Sequence, residues 1–390
     1  LPARLNDFSH SVGEFGIWDL VLSKKGSMKN QYIICFGILF VILLASCRED
    51  GSHSPLKFKG YEGNPVLSPG KPGEWDDLML LSSFCLKHDS LIYLFYSAYS
   101  QIGKRSIGLA TSSDGYHFTK FAGNPILEGD QTGFDAFGVA QAQVIRSDSG
   151  WVLYYNAREI AGFSSGPFFG RATAQALTGP WTTYDEPVLT SGRRGEWDSD
   201  FIYLGPVLVL EDGSYVLYYG GGSDLTSQEK FFIGMATSKD GISWKKYNDP
   251  STKDHPFAES DPVMTGTPGT WDASVVLADA VIKLPGGFGM YYAGTRNQAT
   301  SSSPEESQIG SIGFATSKDG IHWKKYRNNP VYQLADDPYS KILGNSGTII
   351  QNAKLLIQDT LCFMYYDYGN PTGPISMATA RVPSIKPGVH

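Results

Sequence analysis

One stretch of this chain constrains it more than any other. The segment IGLATSSDGYHFTKFAGNPIL, Ile107–Leu127, recurs as IGMATSKDGISWKKYNDP at Ile233–Pro250 and as IGFATSKDGIHWKKYRNNPV at Ile312–Val331. A weaker copy, GRATAQALTGPWTTYDEPVL, covers Gly170–Leu189, and a truncated one, ISMATAR, covers Ile375–Arg381. Copies spaced about 60–80 residues apart describe an array of supersecondary units, each burying its apolar face against its neighbours.

Each copy reads as a β-hairpin: a small and apolar strand, an Asp-Gly or Thr-Gly-Pro turn, then a strand ending in an aromatic and Lys. A second hairpin precedes each copy. Its return strands are IYLFYSA, WVLYYNA, YVLYYGG, FGMYYAG and CFMYYDY. Two hairpins per unit and five units predict an all-β fold, a five-bladed β-propeller. The last unit stops after its third strand. The N-terminal segment Lys57–Leu67, KFKGYEGNPVL, matches the fourth-strand segment FTKFAGNPIL. It is expected to supply the missing strand of the last blade, which removes an exposed sheet edge.

The 390 residues, 13% of them aromatic, suit one large β domain over 57–390. Net charge is −7 and there is no basic run, which argues against nucleic acid and for a neutral polar ligand. Upstream, residues 1–27 show no clear period and read as a non-structural segment. Residues 28–47 carry a basic start, the apolar run Tyr32–Leu44 and Leu44-Ala45-Ser46-Cys47. That pattern resembles a bacterial lipoprotein signal with Cys47 as the lipidated residue. A tether over 48–56 would follow, and the membrane would be met only through the lipid, at the cell envelope. Cys85 and Cys362 lie in apolar strands and read as buried free thiols. No Cys/His cluster has zinc spacing, so neither metal nor cofactor is expected. A monomer is expected.

In such a ring, the loops before the first strand of each blade and after the second share one face. The SerXxxAspGly turns fall on the other face, where Asp bonds its own backbone. The first-strand loops are GEWDD, GFDAFG, GEWDSD and GTWDAS. Together the loops of this face collect Asp76, Asp77, Asp135, Asp198, Asp200, Asp272, Asp279, Glu159, Arg158, Arg296 and Asp367 around one mouth. Several carboxylates near one axis can push each other's pKa values apart, as acid–base chemistry on glycosidic bonds requires. The aromatic-Asp pair recurs in four blades. Recurrence favours a turn brace over catalysis, because chemistry needs two or three unequal groups. Candidate catalytic acids are Asp77, Asp135, Asp200 and Asp279; candidate ligand contacts are Asp76, Arg158, Glu159, Asp198, Asp272 and Arg296.

The blade count, the GlyAsnPro strands, IGxATSxDGxxW and the lipoprotein signal together resemble the five-bladed glycoside hydrolases, families 43, 32, 68, 117 and 130. The resemblance covers Lys57–Pro383. It implies a glycosidase fold acting on a carbohydrate, with two Asp and one Glu at the starts of successive inner strands in families 43 and 32. This chain departs from that pattern. Six residues beyond each aromatic-Asp Asp stand Ser82, Gln141, Leu204 and Ala278, and Leu204 occupies the place of the acid Glu before Gly205-Pro206. Asp279 alone lies close to this slot. The leading expectation is a glycan-active hydrolase. The alternative is a catalytically silent glycan-binding propeller. A sialidase-like propeller is a distant third, since it requires six blades and an arginine cluster.

Overall fold

The computed structural model describes residues 53–130, 132–159, 166–223, 230–297, 308–343, 349–369 and 373–382. They fall within one compact unit, Val41–His390. The signal, Cys47 and most of the tether lie outside the described residues.

Almost all regular structure is β. Five antiparallel units follow one another. The first comprises Met79–His88, Leu91–Tyr99, Arg105–Ser112 and the short Thr119–Lys120. The second comprises Gly138–Ser147, Gly150–Arg158, Phe168–Ala174 and Thr182–Thr183. The third comprises Phe201–Val209, Tyr215–Gly222, Phe231–Ser238 and Lys245–Lys246. The fourth comprises Val275–Leu284, Gly287–Asn297, Gln308–Ser317 and Lys324–Lys325. The fifth has Ile350–Gln358, Leu361–Tyr368 and Ile375–Arg381, and takes its outer strand, Lys59–Gly60, from the N-terminal segment. Lys59 pairs with Thr379 and Gly60 with Ala378, as the sequence match requires. The first strands pack in a closed cycle, each unit against the next and the fifth against the first. This is a propeller.

Because each sheet is covered on both faces by its neighbours, second strands such as Leu91–Tyr99 are buried along nearly their whole length. The Tyr-Tyr pair of these strands carries two separate contacts. The first tyrosine reaches the next unit. The hydroxyls of Tyr154, Tyr218 and Tyr365 donate to the carbonyls of Gly241, Gly320 and Gly115 at 2.7, 2.9 and 2.9 Å. Those glycines end the SerXxxAspGly turns at φ of 69°, 79° and 82°, a conformation that disfavours side chains. Within each turn the Asp carboxylate accepts backbone N–H groups two and three residues on, as at Asp240 from Ile242 and Ser243. The second unit has Thr178-Gly179-Pro180 in place of that turn, and the first unit correspondingly has Phe95, which carries no hydroxyl. The fourth unit's Tyr291 instead accepts from the Leu56 amide, 2.9 Å away.

The second tyrosine braces its own unit. Trp75, Phe134, Trp197 and Trp271 stack on Tyr96, Tyr155, Tyr219 and Tyr292. The neighbouring Asp of each aromatic-Asp pair takes the hydroxyl: Tyr155 to Asp135 at 3.1 Å, Tyr219 to Asp198 at 3.0 Å and Tyr292 to Asp272 at 2.9 Å, with Tyr96 bonded to Asp76. A fourth-strand lysine completes the brace in three units. Lys120, Lys246 and Lys325 sit 2.6 Å from Asp76, Asp198 and Asp272. In the second unit Thr183 stands where the lysine would be. The consequence is electrostatic. Burial raises both Asp135 and Asp272, but Lys325 and Thr270 outweigh it and hold Asp272 low, while Asp135 stays above the ordinary carboxylate range.

Candidate functional site

All five first strands break register at the same depth: between Ser82 and Phe84, Ala140 and Gln143, Leu204 and Val207, Ala278 and Ala280, and Gln351 and Lys354. A bulge re-aims a side chain and frees backbone groups. Two of these bulges hold non-glycine residues in the left-handed region, Gln141 at φ 57° and Asn352 at φ 55°. Such strain persists where the surroundings over-determine it, commonly at sites.

The freed N–H groups are captured by the preceding unit. Ser97 Oγ accepts from Gln141 N at 2.6 Å, Asn156 Oδ1 from Leu204 N at 2.7 Å, and Asp367 Oδ2 from Ser82 N at 2.7 Å. Ser97, Asn156 and Asp367 occupy one register position of the repeat, directly after the second tyrosine. The third and fourth units have Gly220 and Ala293 there. Asp279, from the fourth unit's bulge, accepts the amides of Asn352 and Ala353. A neutral Ser or Asn therefore suffices to hold a bulge. The carboxylates at 367 and 279 bring a charge that the scaffold does not need.

That charge is buried. Asp367 also accepts from Asn352 Nδ2 at 3.0 Å and Gln351 Nε2 at 3.3 Å. Burial raises it to about 7, against these bonds, and Asp279 adds to the rise. Burial raises Asp279 to about 6, against the pull of Lys354. Lys354, itself buried, donates to the Asp279 carbonyl at 3.1 Å; burial lowers it, and Asp279 and Asp367 hold it up. Asp279 Oδ2 and Gln141 Oε1 are enclosed and have no protein hydrogen-bond partner. Buried polar atoms are rarely left so, and two of them at the bulges set this part of the ring apart. Tyr203 lies in the same field, its phenol raised by burial, with Tyr99, Asp367 and Asp279 adding to the rise.

The remaining candidates are distributed differently. Asp76, Asp198 and Asp272 are buried in the Tyr–Lys braces, and Asp135 in its lysine-free version. Asp77 accepts from Gly73 N at 2.7 Å and Gln101 N at 2.9 Å, bonds that lower it and tie two loops together. Asp200, Glu159 and Arg296 are exposed on the rim, and Arg158 is buried beneath it. Asp367 was visible among the mouth acids. Its distinguishing signal is that the same column of the repeat holds no other acid. No group of His, Cys, Asp and Glu among the described residues could hold a metal. Cys85 and Cys362 are buried free thiols. One surface cleft is lined by Trp244, Lys246, Lys253 and Glu259, at the outer strand of the third unit and the loop that follows it.

No family profile matches the sequence. The protein MT1551 of Mycobacterium tuberculosis, described as uncharacterized, is 23% identical over 247 residues, 62% of this chain and 71% of that one. Among solved structures, a glycosyl hydrolase from Bacteroides ovatus superposes with a TM-score of 0.62 at 17% identity, covering 85% of this chain and 97% of that one. A thermostable family-43 glycoside hydrolase gives 0.55 at 17%, covering 83% and 94%. A β-1,2-mannobiose phosphorylase from Listeria innocua, in complex with β-1,2-mannobiose, gives 0.58 at 16%, covering 84% and 97%. The chain has the propeller fold of these glycan-active enzymes.

Proposed function

We propose that the chain is a glycan-active enzyme, a glycosidase whose acids are Asp367 and Asp279. The observation that carries this reading is the buried, unequal carboxylate pair where the ring's first strands bulge: Asn352 bonds Asp367 through its side chain and Asp279 through its backbone, and burial pushes the two acids up to about 7 and about 6. A group with such a pKa can give up or take a proton near neutral pH. In this reading Asp367, protonated, donates to the leaving oxygen. Asp279, ionised beside Lys354, activates water or attacks the sugar. Asp200, Glu159 and Arg296 on the rim orient the glycan, and Gln141 Oε1 accepts one of its hydroxyls. Support comes from the fold shared with glycoside hydrolases and a mannobiose phosphorylase.

A binding-only propeller is the second reading, favoured by the bulge-holding role of both acids. Arabinan, fructan, mannoside, galactoside and xylan oligosaccharides, read for cleavage and for binding, separate the two. Asp367→Asn and Asp279→Asn, which keep one acceptor oxygen for the bulge amides, should each lower turnover by about 10²–10⁴-fold while the chain still folds. Binding without cleavage across the panel decides for the second reading. Lipidation at Cys47 and placement at the cell envelope are likewise proposals, tested by mass spectrometry of the mature N-terminus.

A further inference from the structure

A cleft opens at the seam where the ring closes. Its volume is about 510 Å³. Lys59, Tyr61 and Glu62 of the displaced outer strand line it, with Tyr116 and His117 of the first unit's Asp turn and Thr379 of the last unit's third strand. Small-molecule sites run from about 300 to 1,000 Å³. The cleft is separate from the buried acids. Asp367 pairs with Ile375, whereas Lys59 pairs with Thr379, four residues further along the same strand and roughly 13 Å away.

Two of the lining residues are aromatic and held by packing. The rings of Tyr61 and Tyr116 are 5.0 Å apart, centre to centre, at an angle of 57°. Tyr61 lies across Gly63, where a Cβ would come within 2.6 Å of its ring. Tyr116 meets Phe363 edge-on at 5.5 Å. Both tyrosines stay partly exposed. Rings fixed in this way offer apolar faces to a ligand at little cost in ordering. Lys59, Glu62 and His117 beside them are exposed. His117 Nδ1 lies 2.8 Å from Asp114 Oδ2, which leaves Nε2 as the remaining polar atom of the ring. One carboxylate and one ammonium give the cleft no net charge, which suits a neutral ligand.

The scaffold does not require these residues. Elements that hold the ring together recur from unit to unit. The column of Tyr116 holds Ile242 and Ile321 in the other two SerXxxAspGly turns. The column of Glu62 holds Ala122 and Arg327 in the other copies that end in Asn-Pro. The aromatic pair with an acid beside it is therefore particular to this seam.

We infer that the cleft is a second carbohydrate-binding site, which holds a neutral oligosaccharide by stacking on Tyr61 and Tyr116 while Glu62 and His117 bond its hydroxyls. A sugar ring has an apolar face of C–H groups and an edge of hydroxyls. Tyrosine faces match the first, and a carboxylate with two acceptor oxygens beside an imidazole matches the second. The inference goes beyond the glycan-active reading. The cleft stands apart from Asp367 and Asp279, so it would keep a long glycan on the chain whether or not the mouth cleaves it.

The test is hydrogen exchange of the full chain, read by mass spectrometry, during titration with xylohexaose, mannohexaose and cellohexaose. At least one should slow exchange in 59–62 and 114–117, which reads occupancy of this cleft whatever happens at the mouth. Tyr116→Ile and Glu62→Ala install residues that other copies of the repeat already carry, so the ring should tolerate them. Each should raise the concentration for half-protection about tenfold. Failure of all three sugars to protect these segments overturns the inference, and so does an unchanged half-protection in both variants. The wild-type footprint decides even if a variant does not fold. Protection confined to the loops of the mouth would overturn the cleft and leave the glycan-active reading intact. Protection of the cleft, with no oligosaccharide cleaved, would leave the cleft standing and defeat the hydrolase reading alone.

Discussion

Lys246→Met tests whether the recurrent acids are scaffold or site. Lys246 Nζ lies 2.6 Å from Asp198 Oδ2; the carboxylate is fully enclosed and the lysine side chain only 14% exposed. Removing the lysine leaves Asp198 with the Tyr219 hydroxyl, because its other oxygen has no protein partner. Breaking a buried pair by deleting one partner costs about 3–5 kcal/mol. For a ring of this size about 2 °C accompanies each kcal/mol, so the melting temperature should drop by roughly 6–10 °C. Asp198→Asn in the same chain removes the stranded charge and should recover part of the loss, with a coupling of about 0.5–3 kcal/mol. Thermal melts of the wild type, both single variants and the double variant complete the cycle. A shift under about 1 °C would refute the reasoning, since the pair would then behave as an exposed one. An unchanged melt with abolished glycan turnover would place Asp198 in the site instead.

Thr183→Lys should install the missing lysine beside Asp135, lower that carboxylate and raise the melting temperature; an unchanged titration of Asp135 by NMR counts against the brace. Burial pushes Asp279 and Asp367 up to about 6 and about 7 in the folded chain, against about 3.9 unfolded. Between these values the folded chain keeps protons that the unfolded chain has released, so their contribution to stability falls as pH rises from about 4 to 7 and is fully lost above it. Denaturant unfolding at pH 5 and pH 8 should therefore differ less in Asp367→Asn than in the wild type; equal differences would contradict the burial of its charge. Asp240 and its counterparts run oppositely: bonds from Ser243 and Ile242 hold Asp240 low, giving stability above about pH 4 that is lost on acidification. Truncation before Glu62 should expose the edge of Ile375–Arg381 and promote association, seen by light scattering.

Much of this was legible in the repeat. Aligned copies show the units, the displaced outer strand and the glycines of the Asp turns, because each has a local chemical reason. Recurrence also marked the aromatic-Asp pairs as candidate braces. What was hidden was partnership across units. Nothing local says that Tyr154 meets Gly241, although the substitution of Phe95 where the next unit lacks the turn is a readable trace of it. Asp367 required comparing one column across five copies. Tyr61 and Tyr116 belong to different units and become neighbours only where the displaced outer strand meets the first unit's turn, a pairing set by how two sheets meet at the ring.

The outer strand of the last unit carries a consequence for how the chain can be cut and rejoined. Asn64 accepts from Met377 N, 313 residues away, and in the same short segment Lys59 completes a sheet and Leu56 caps Tyr291. Sequence order and spatial order are thus out of phase by one strand, and no contiguous fragment owns a complete ring. Contacts of such separation form late and slowly, because long loops must close first. A circular permutant beginning near Met79, with 53–78 fused after 382, would bring the order into phase. It should keep every contact described here while closing its last sheet locally, and so refold faster to the same ring.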